Sequence, residues 1–238
     1  MYINGIRIDP NIEEIERIIN HADKVNEVDN TSKNLNPYSD TDSYNLGTIQ
    51  LTLGFNAKTN SELQKLIGSL ILSLSNSTLK FDDLDNMNFY TAYSEKKIVN
   101  DAMENDLTDG WYETISFNLT ILSIYEEEII HNTRNETSTA ITLNSSCDTP
   151  CIIEVTPMID MIDIRIEGLS IDPIIINGLE LSKTIIVDGE NRKVTLNGAN
   201  VFSKTDMWQY PKLVPGVNDI KFSREKCNIN IRYKPKYI

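Results

Sequence analysis

The chain has 238 residues, of which 40% are hydrophobic and 24% are charged. This is the composition of a globular protein, and the length is enough to bury a core without disulfide staples. No apolar run approaches the ~20 residues of a membrane span, and the N-terminus has neither the basic nor the apolar region of a secretory signal. The sequence therefore predicts a protein that folds in a cytoplasm and does not insert into a membrane.

The net charge of −13 comes entirely from the first half of the chain. Residues 1–133 contain 9 Lys and Arg against 22 Asp and Glu, whereas residues 134–238 contain 13 of each kind. Because an acidic surface repels phosphate groups, we expect no tight nucleic-acid binding by the first half. An acidic surface would instead suit a passage through which DNA slides without being held.

The first elements along the chain are a short strand and a predicted helix. Tyr2–Ile8 alternates apolar and polar residues as a strand does, and Asp9-Pro10 has the residue types of a helix N-cap and first position. Apolar residues then recur at helical spacing, which predicts a helix that ends near Lys24. These residues are Ile12, Ile15, Ile18, Ile19 and Ala22. Residues 26–43 are rich in Asn, Asp and Ser and predict a loop or arm.

A strand and a capped helix follow. Thr48–Phe55 alternates strictly between apolar and polar residues. Thr59-Asn60-Ser61-Glu62 is a capping box, and behind it Leu and Ile residues step by three and four as far as Leu74. Further strands are predicted at Leu79–Phe81, Phe89–Tyr93 and Trp111–Ile124.

Two of these strands have a polar face without charge. A solvated sheet face usually carries Lys and Glu, so we expect the uncharged residues to line a subunit interface or the lumen of a ring, with plain exposure to solvent as the alternative. The residues are Thr48, Gln50, Thr52, Thr114, Ser116, Asn118 and Thr120.

The second half contains only strand-like segments. Glu126–Glu128 and the polar run after His131 place a domain boundary near Asn132, which gives domains at residues 1–132 and 133–238. Eight segments separated by turn residues at intervals of about ten residues predict a β-sandwich. Asp188-Gly189 and Asn197-Gly198 are typical of type I′ hairpin turns.

No combination of residues in the sequence predicts catalysis. The two histidines, His21 and His131, are far apart, and the sequence has no HExxH, GxSxG or phosphate-loop motif. We therefore predict a protein that is not an enzyme, with no catalytic residues, metal site or cofactor. A pair of carboxylates for glycoside hydrolysis, brought together by folding, is the remaining enzymatic alternative.

Two smaller features carry alternative interpretations. The chain has three cysteines, at Cys147, Cys151 and Cys227. Their odd number favours free thiols over a disulfide framework or half of a metal site. Trp208 and Tyr210 would form a stacking platform for a glycan, or else close the end of the sandwich core.

The C-terminal part resembles the second domain of distal tail proteins from phages with long non-contractile tails. The resemblance lies in an "IDG"-like hairpin, an "NG.N" turn, an aromatic-Pro followed by "PG.N.I", and a basic-aromatic end. The matching segments are Ile185–Glu190 (IIVDGE), Val194–Phe202 (VTLNGANVF), Trp208–Ile220 (WQYPKLVPGVNDI) and Arg232–Ile238 (RYKPKYI). The first half resembles the same family's ring-forming domain, itself similar to tail-tube proteins, whereas residues 10–43 fit no pattern of the family.

The resemblance implies a mainly β protein: an α+β tail-tube-like ring domain followed by a galectin-like β-sandwich. It implies a hexameric ring in the virion, at the distal end of the tail, assembled in the bacterial cytoplasm. The partners would be further copies of the chain, the tail tube protein, the tape-measure protein and a tail-tip hub or fibre protein, with DNA only in transit. A carbohydrate-binding module of the tail tip is the main alternative, and a tail-tube subunit proper is a weaker one.

Overall fold

The computed structural model describes residues 1–25, 43–105 and 110–237, and the chain divides into two compact units at Ile124 and Tyr125. We call Met1–Ile124 the N-terminal unit and Tyr125–Tyr237 the C-terminal unit. The structure is mainly β, as predicted from the sequence.

In the N-terminal unit, the described residues form a sheet covered by one helix, α1 (Asn60–Leu74). Its strands are β1 (Tyr2–Ile3), β2 (Ile6–Arg7), β3 (Ile12–Asn20), β4 (Lys24–Val25), β5 (Ser43–Tyr44), β6 (Thr48–Ala57), β7 (Asn76–Lys80), β8 (Asn88–Asn105) and β9 (Gly110–Tyr125). The order in the main sheet is β2-β1-β7-β8-β9-β6-β3, and β4 pairs separately with β5.

The capped helix and its neighbouring strand are confirmed. Thr59 Oγ1 accepts a hydrogen bond from the Glu62 N–H at 3.2 Å, which satisfies one of the free donors at the helix start. The apolar stripe of α1 packs against β6, β7 and β8. Its buried residues are Leu63, Ile67, Leu70 and Leu74.

The predicted helix that ends near Lys24 is wrong, because Ile12–Asn20 is strand β3. β3 pairs antiparallel with β6, and a bulge between Glu14 and Glu16 shifts the register by one residue. The isoleucines are β-branched and suit a strand as well as a helix, and pairing with β6 decides between the two. The bulge brings Ile12 and Ile19, seven residues apart as on one face of a helix, opposite the core residues Phe55 and Ile49, while Ile15 and Ile18 are exposed. The predicted arm falls largely on residues 26–42, outside the described residues.

The C-terminal unit contains two sheets that enclose one apolar core. Its strands are β10 (Ile129–Arg134), β11 (Ser138–Leu143), β12 (Thr149–Pro157), β13 (Met161–Glu167), β14 (Ile174–Leu179), β15 (Ile185–Asp188), β16 (Lys193–Leu196), β17 (Ala199–Asn200), β18 (Thr205–Asp206), β19 (Lys212–Leu213), β20 (Gly216–Phe222), β21 (Cys227–Tyr233) and β22 (Lys236–Tyr237). The sheet orders are β10-β21-β12-β15-β16-β17, with β19 beside β12, and β11-β20-β13-β14-β18.

All eight predicted strands of this unit are present, and their inward-facing residues make the core. β10 is an additional strand, and the boundary expected near Asn132 falls within it rather than at the division between Ile124 and Tyr125. β10 pairs along its length with β21 and so belongs to the C-terminal unit. The galectin-like character of the sandwich stays a prediction.

One of the two predicted type I′ turns is confirmed. Asn197 and Gly198 have φ of 50° and 81°, as that turn requires. The prediction at Asp188-Gly189 is wrong, because Asp188 pairs with Lys193 across a longer turn. The Asp188 carboxylate accepts hydrogen bonds from the N–H groups of Glu190 and Asn191 at 3.0 and 2.8 Å, which stabilises the longer turn.

Candidate assembly surface

The structure brings the seven uncharged polar residues predicted as a site together on two paired strands. β6 and β9 are antiparallel neighbours, and their register sets each polar residue of one strand beside a polar residue or Gly54 of the other. The pairs are Thr48 with Thr120, Gln50 with Asn118, Thr52 with Ser116, and Gly54 with Thr114. We call this surface the polar face.

The polar face lies on the side of the sheet opposite α1. The alternate residues of β6, from Ile49 to Phe55, are completely buried, and so are Ile115, Phe117 and Leu119 of β9. Phe55 and Phe117 meet edge to face with their ring centroids 6.2 Å apart. Because side chains alternate across a strand, burial of this set directs the polar set away from the core.

Hydrogen bonds between neighbouring strands organise the polar face. Gln50 Nε2 donates to Ser116 Oγ at 3.3 Å, and Asn118 Nδ2 donates to Glu95 Oε1 at 2.8 Å. The central residues Thr52, Thr114 and Ser116 are only 8%, 4% and 6% exposed, whereas Thr48 and Gln50 at one end are exposed. The arrangement gives a surface of fixed hydroxyl and amide groups without a cationic side chain among the seven.

Tyr112 extends the polar face beyond the residues found from the sequence. Its hydroxyl donates to Glu13 Oε1 at 3.2 Å, across β6. Gly54 makes this contact possible, because a Cβ at that position would overlap the Tyr112 hydroxyl. An aromatic residue beside a glycine on the neighbouring strand is the signal that could have predicted this contact.

The main sheet has two long edges without a neighbouring strand among the described residues. β7 pairs with β8 only from Phe89 to Ala92, so the β8 segment from Ser94 to Glu104 has β9 on one side alone. At the other end of the order, β3 pairs only with β6. We call these two segments the β8 edge and the β3 edge. Unpaired strands of this kind present a row of N–H and C=O groups to a further strand.

Both edges carry exposed apolar residues, and their charges differ. The apolar residues are Ile98, Val99 and Met103 on the β8 edge and Ile15 and Ile18 on the β3 edge. The β8 edge has Lys96 and Lys97, neither of which makes an ion pair with another described residue. The β3 edge has Glu13, Glu14 and Glu16. Sequence reasoning missed the β3 edge because it assigned β3 to a helix, and it missed the β8 edge because it ended that strand at Tyr93.

Arg17 of β3 anchors the acidic turn that follows β7. Its guanidinium pairs with Asp83 and with Glu14, the latter at 3.2 Å, and lies 4.1 Å from the centre of the Phe81 ring. The hydrogen bond from Arg17 holds the pKa of Asp83 below its usual range. Within residues 1–25, 43–105 and 110–237, no group of three or more His, Cys, Asp or Glu side chains is placed to hold a metal ion.

In the C-terminal unit, Trp208 and Tyr210 lie between β18 and β19 but differ in burial. Tyr210 is partly buried and packs against the core, as the structural alternative expected. Trp208 is 84% exposed and therefore does not close the end of the sandwich core. Phe202, which the sequence analysis did not include, lies with its ring centroid 6.3 Å from that of Tyr210.

The three cysteines are free thiols. Cys151 and Cys227 are buried, and burial raises the pKa of the Cys151 thiol to about 12. Burial also raises the pKa of Cys147, which is half-buried. Raised thiol pKa values leave little thiolate near neutral pH, which disfavours nucleophilic chemistry at all three positions.

Comparison with known proteins connects this architecture to phage tails. Residues 144–237 match the family model described as siphovirus-type tail component, C-terminal domain. No curated protein sequence matches the chain. Within the described residues, no helix combines the length and the apolar character of a membrane span.

Solved structures of phage tail proteins share the fold of the whole chain. The Dit protein of phage SPP1, described as a paradigm of the hub adsorption apparatus in phages that infect Gram-positive bacteria, is 11% identical with a TM-score of 0.76, over 99% of this chain and 98% of that one. A chain of the phage P2 baseplate in its activated conformation with Ca is 11% identical with a TM-score of 0.54, over 97% and 93%. The same baseplate with Sr gives 12% identity and a TM-score of 0.52, over 97% and 93%.

These matches confirm the predicted resemblance to distal tail proteins. The matched chains come from phage tails and baseplates, and at 11–12% identity the likeness shows a shared fold. Residues 144–237 match the model of the siphovirus-type tail component, C-terminal domain, and the whole chain has the fold of the SPP1 Dit protein.

Proposed function

We propose that the protein forms a closed ring, hexameric by its resemblance to distal tail proteins, through its N-terminal unit. The ring joins the tail tube to the tape-measure protein and to a hub or fibre protein, and DNA passes through it. The observation that carries this proposal is the pair of unpartnered edges on one sheet, because a head-to-tail ring needs two different complementary surfaces on each subunit.

In this ring the β8 edge of one subunit lies beside the β3 edge of the next. Both edges offer unpaired backbone groups, and pairing them extends the sheet from subunit to subunit. Contact buries Ile98 and Val99 of one subunit with the exposed isoleucines of β3. Lys96 and Lys97 then approach the glutamates of β3, which favours this pairing over contact between two identical edges.

The accessible end of the polar face, formed by Thr48, Gln50, Asn118 and Thr120, lines the lumen in the proposed ring. It lies away from α1 and carries hydroxyl and amide groups rather than cations. The N-terminal unit, residues 1–124, contains 9 Lys and Arg against 19 Asp and Glu. An acidic subunit around a channel repels the phosphates of passing DNA, so the DNA is not held there.

Reversing the charges of the edges tests the proposal on the full-length protein. Lys96→Glu with Lys97→Glu should lower the ring fraction measured by light scattering, because both edges are then acidic. Adding Glu13→Lys and Glu16→Lys should restore the ring. The matched control is Lys221→Glu with Lys226→Glu, which makes the same change of charge on exposed lysines of the C-terminal unit. An unchanged ring in the first variant, or a wild-type chain that stays monomeric at high concentration, contradicts the proposal.

A further inference from the structure

β11 is an open edge of the C-terminal sandwich. It pairs with β20 at six consecutive positions, from Ser138 to Leu143, without a bulge. In the part of the chain that the structure describes, β20 is its only neighbouring strand. The Thr137 carbonyl accepts a hydrogen bond from the Phe222 N–H at 2.8 Å, which fixes the residues of β11 that bond to β20.

The backbone groups of every second residue of β11 point away from β20. In an antiparallel ladder, residues alternate between bonding to the partner strand and facing away from it. Because Thr137 bonds to β20, the N–H and C=O groups of Ser138, Ala140 and Thr142 face away. These groups make no backbone hydrogen bond to another described residue, and the side chains of the same three residues are exposed. β11 therefore presents a row of free donors and acceptors.

The other ends of the two sheets carry features that hinder the addition of a strand. β17 and β18 are only two residues long. β10 places Arg134 on its free side, because the Asn135 N–H bonds to the Cys227 carbonyl and sets the alternation there. Shortness, charge, bulges and proline are the usual protection of a sheet edge, and β11 has none of them. An edge without this protection is suited to a partner strand.

The chemistry of the β11 edge selects the kind of partner. Alternating N–H and C=O groups along a strand are matched by the backbone of another extended polypeptide. The outward side chains, Ser138, Ala140 and Thr142, are small and uncharged, so a strand can approach along the whole row. Val217 of β20 lies opposite Thr142 and is 65% exposed. Uncharged and β-branched residues pair favourably beside such a row.

We propose that β11 binds an extended, uncharged segment of another tail protein, which adds a strand to this sheet. The inference rests on the proposed function, because the partner is met in the assembled tail. A second copy of the chain is disfavoured. Pairing of β11 with itself needs a two-fold axis between the copies, and neighbours in a closed hexameric ring are not related by such an axis.

Hydrogen–deuterium exchange of the full-length protein, free and within purified phage tails that contain it, tests the inference. The amides of Ser138, Ala140 and Thr142 should exchange rapidly in the free protein and about tenfold or more slowly in the tail. Protection of the β8 edge without protection of β11 overturns this inference and leaves the ring intact. Protection of β11 without the β8 edge contradicts the ring alone, and absence of the protein from tails overturns both.

Variants separate strand addition from general burial in the tail. Ala140→Pro removes a free N–H that faces away from β20, so the ladder to β20 remains while the protection of Ser138 and Thr142 in the tail should be lost. Asn132→Pro is the matched control, because Asn132 has the corresponding position on the free side of β10, and it should leave this protection unchanged.

Ala140→Lys keeps the backbone N–H, places a charge on the row and should have the same effect as Ala140→Pro, including where the proline variant fails to fold. Wild-type protection of Thr142 in the lysine variant overturns the proposal. A fall in the mass of the ring in either Ala140 variant, measured by light scattering, also overturns it, because β11 would then lie between copies of the chain.

Discussion

The two units of the chain differ in their balance of acidic and basic residues and in the ion pairs that these residues form. In the C-terminal unit, basic side chains pair with acids of the same unit, as Arg232 does with Glu128 and Glu154 at 3.1 and 2.6 Å and Arg224 with Asp163 at 2.6 Å. In the N-terminal unit acids outnumber bases by about two to one, and Lys96 and Lys97 pair with no described residue.

This difference separates a self-sufficient domain from one whose surface is incomplete. A unit with nearly balanced charge, 13 Lys and Arg against 16 Asp and Glu in residues 125–238, and with a single closed core has little to gain from a neighbouring copy. A unit with two open sheet edges, exposed apolar residues on both and unmatched charge gains backbone hydrogen bonds and buried area on assembly. That contrast supports the proposed division of work, in which the N-terminal unit assembles and the C-terminal unit does not.

The largest effect is expected on separating the units. Residues 125–238 alone should fold and stay monomeric, because the whole sandwich core lies within Tyr125–Tyr237. Residues 1–124 alone should reach the mass of a ring. Light scattering of both pieces beside the full-length protein measures this. Oligomers of the C-terminal piece would reverse our assignment of the two roles.

Gly189→Ala should destabilise the C-terminal unit selectively, by about 3 kcal/mol. A Cβ at this position would overlap the Pro211 carbonyl oxygen and lie 2.6 Å from that of Cys151, and both carbonyls accept backbone hydrogen bonds that a shift would disturb. The control is Gly198→Ala, whose Cβ meets nothing within 4 Å and which should cost about 1 kcal/mol through its φ of 81°. Urea denaturation of residues 125–238 monitored by circular dichroism measures both. Equal losses in the two variants would mean that the contact is relieved by movement of the backbone.

The contrast between the units also explains which strands and turns could be predicted from the sequence. Strands of the C-terminal unit are short, are bounded by Gly and Asn, and pair within the unit, so local patterns predict them. The edge strand β10 was missed because Ile129 and Ile130 are followed by polar residues that resemble a linker. The turn after Asp188 depends on side-chain hydrogen bonds that a dipeptide pattern does not encode.

In the N-terminal unit, whether a sequence-based prediction was correct depended on pairing between strands that are distant in the sequence. Thr59–Leu74 carries a cap and an apolar stripe within one segment, and the helix was predicted correctly. For β3, by contrast, the bulge at Glu14 and Glu16 mimics helical spacing, and only the pairing with β6 shows it to be a strand. The polar face was found because Thr, Ser, Asn and Gln alternate with core residues, whereas the bond between Tyr112 and Glu13 needs the three-dimensional register.

Removing the helix cap should produce a smaller loss, confined to the N-terminal unit. Thr59→Ala deletes the acceptor of the Glu62 N–H and should cost about 1 kcal/mol of unfolding free energy. Thr59→Ser keeps the hydroxyl and is the matched control, with a loss of a few tenths at most. Circular dichroism on urea titration of residues 1–124 measures the difference. If the serine variant loses as much as the alanine variant, the methyl group of Thr59 stabilises the helix rather than its hydrogen bond.

The smallest expected effect is a pH dependence at the end of the C-terminal unit. The Tyr237 hydroxyl lies 2.5 Å from Glu126 Oε1 and 2.7 Å from the Asn144 carbonyl oxygen. Burial, together with the hydrogen bond to Glu126, raises the pKa of Tyr237 to about 12, above the value of about 10 for a tyrosine in an unfolded chain.

Because the folded state holds this proton more tightly, the stabilisation by Tyr237 is complete below pH ~10 and is lost as the pH rises through about 12. The difference in urea midpoint between wild type and Tyr237→Phe should therefore shrink between these two pH values. Glu126→Gln removes the acceptor carboxylate and should reduce the same pH trend while keeping a hydrogen-bonding oxygen. A midpoint difference that stays constant to pH 12 in both variants would show that Tyr237 stabilises the unit by packing alone, without the linkage that its contact with Glu126 implies.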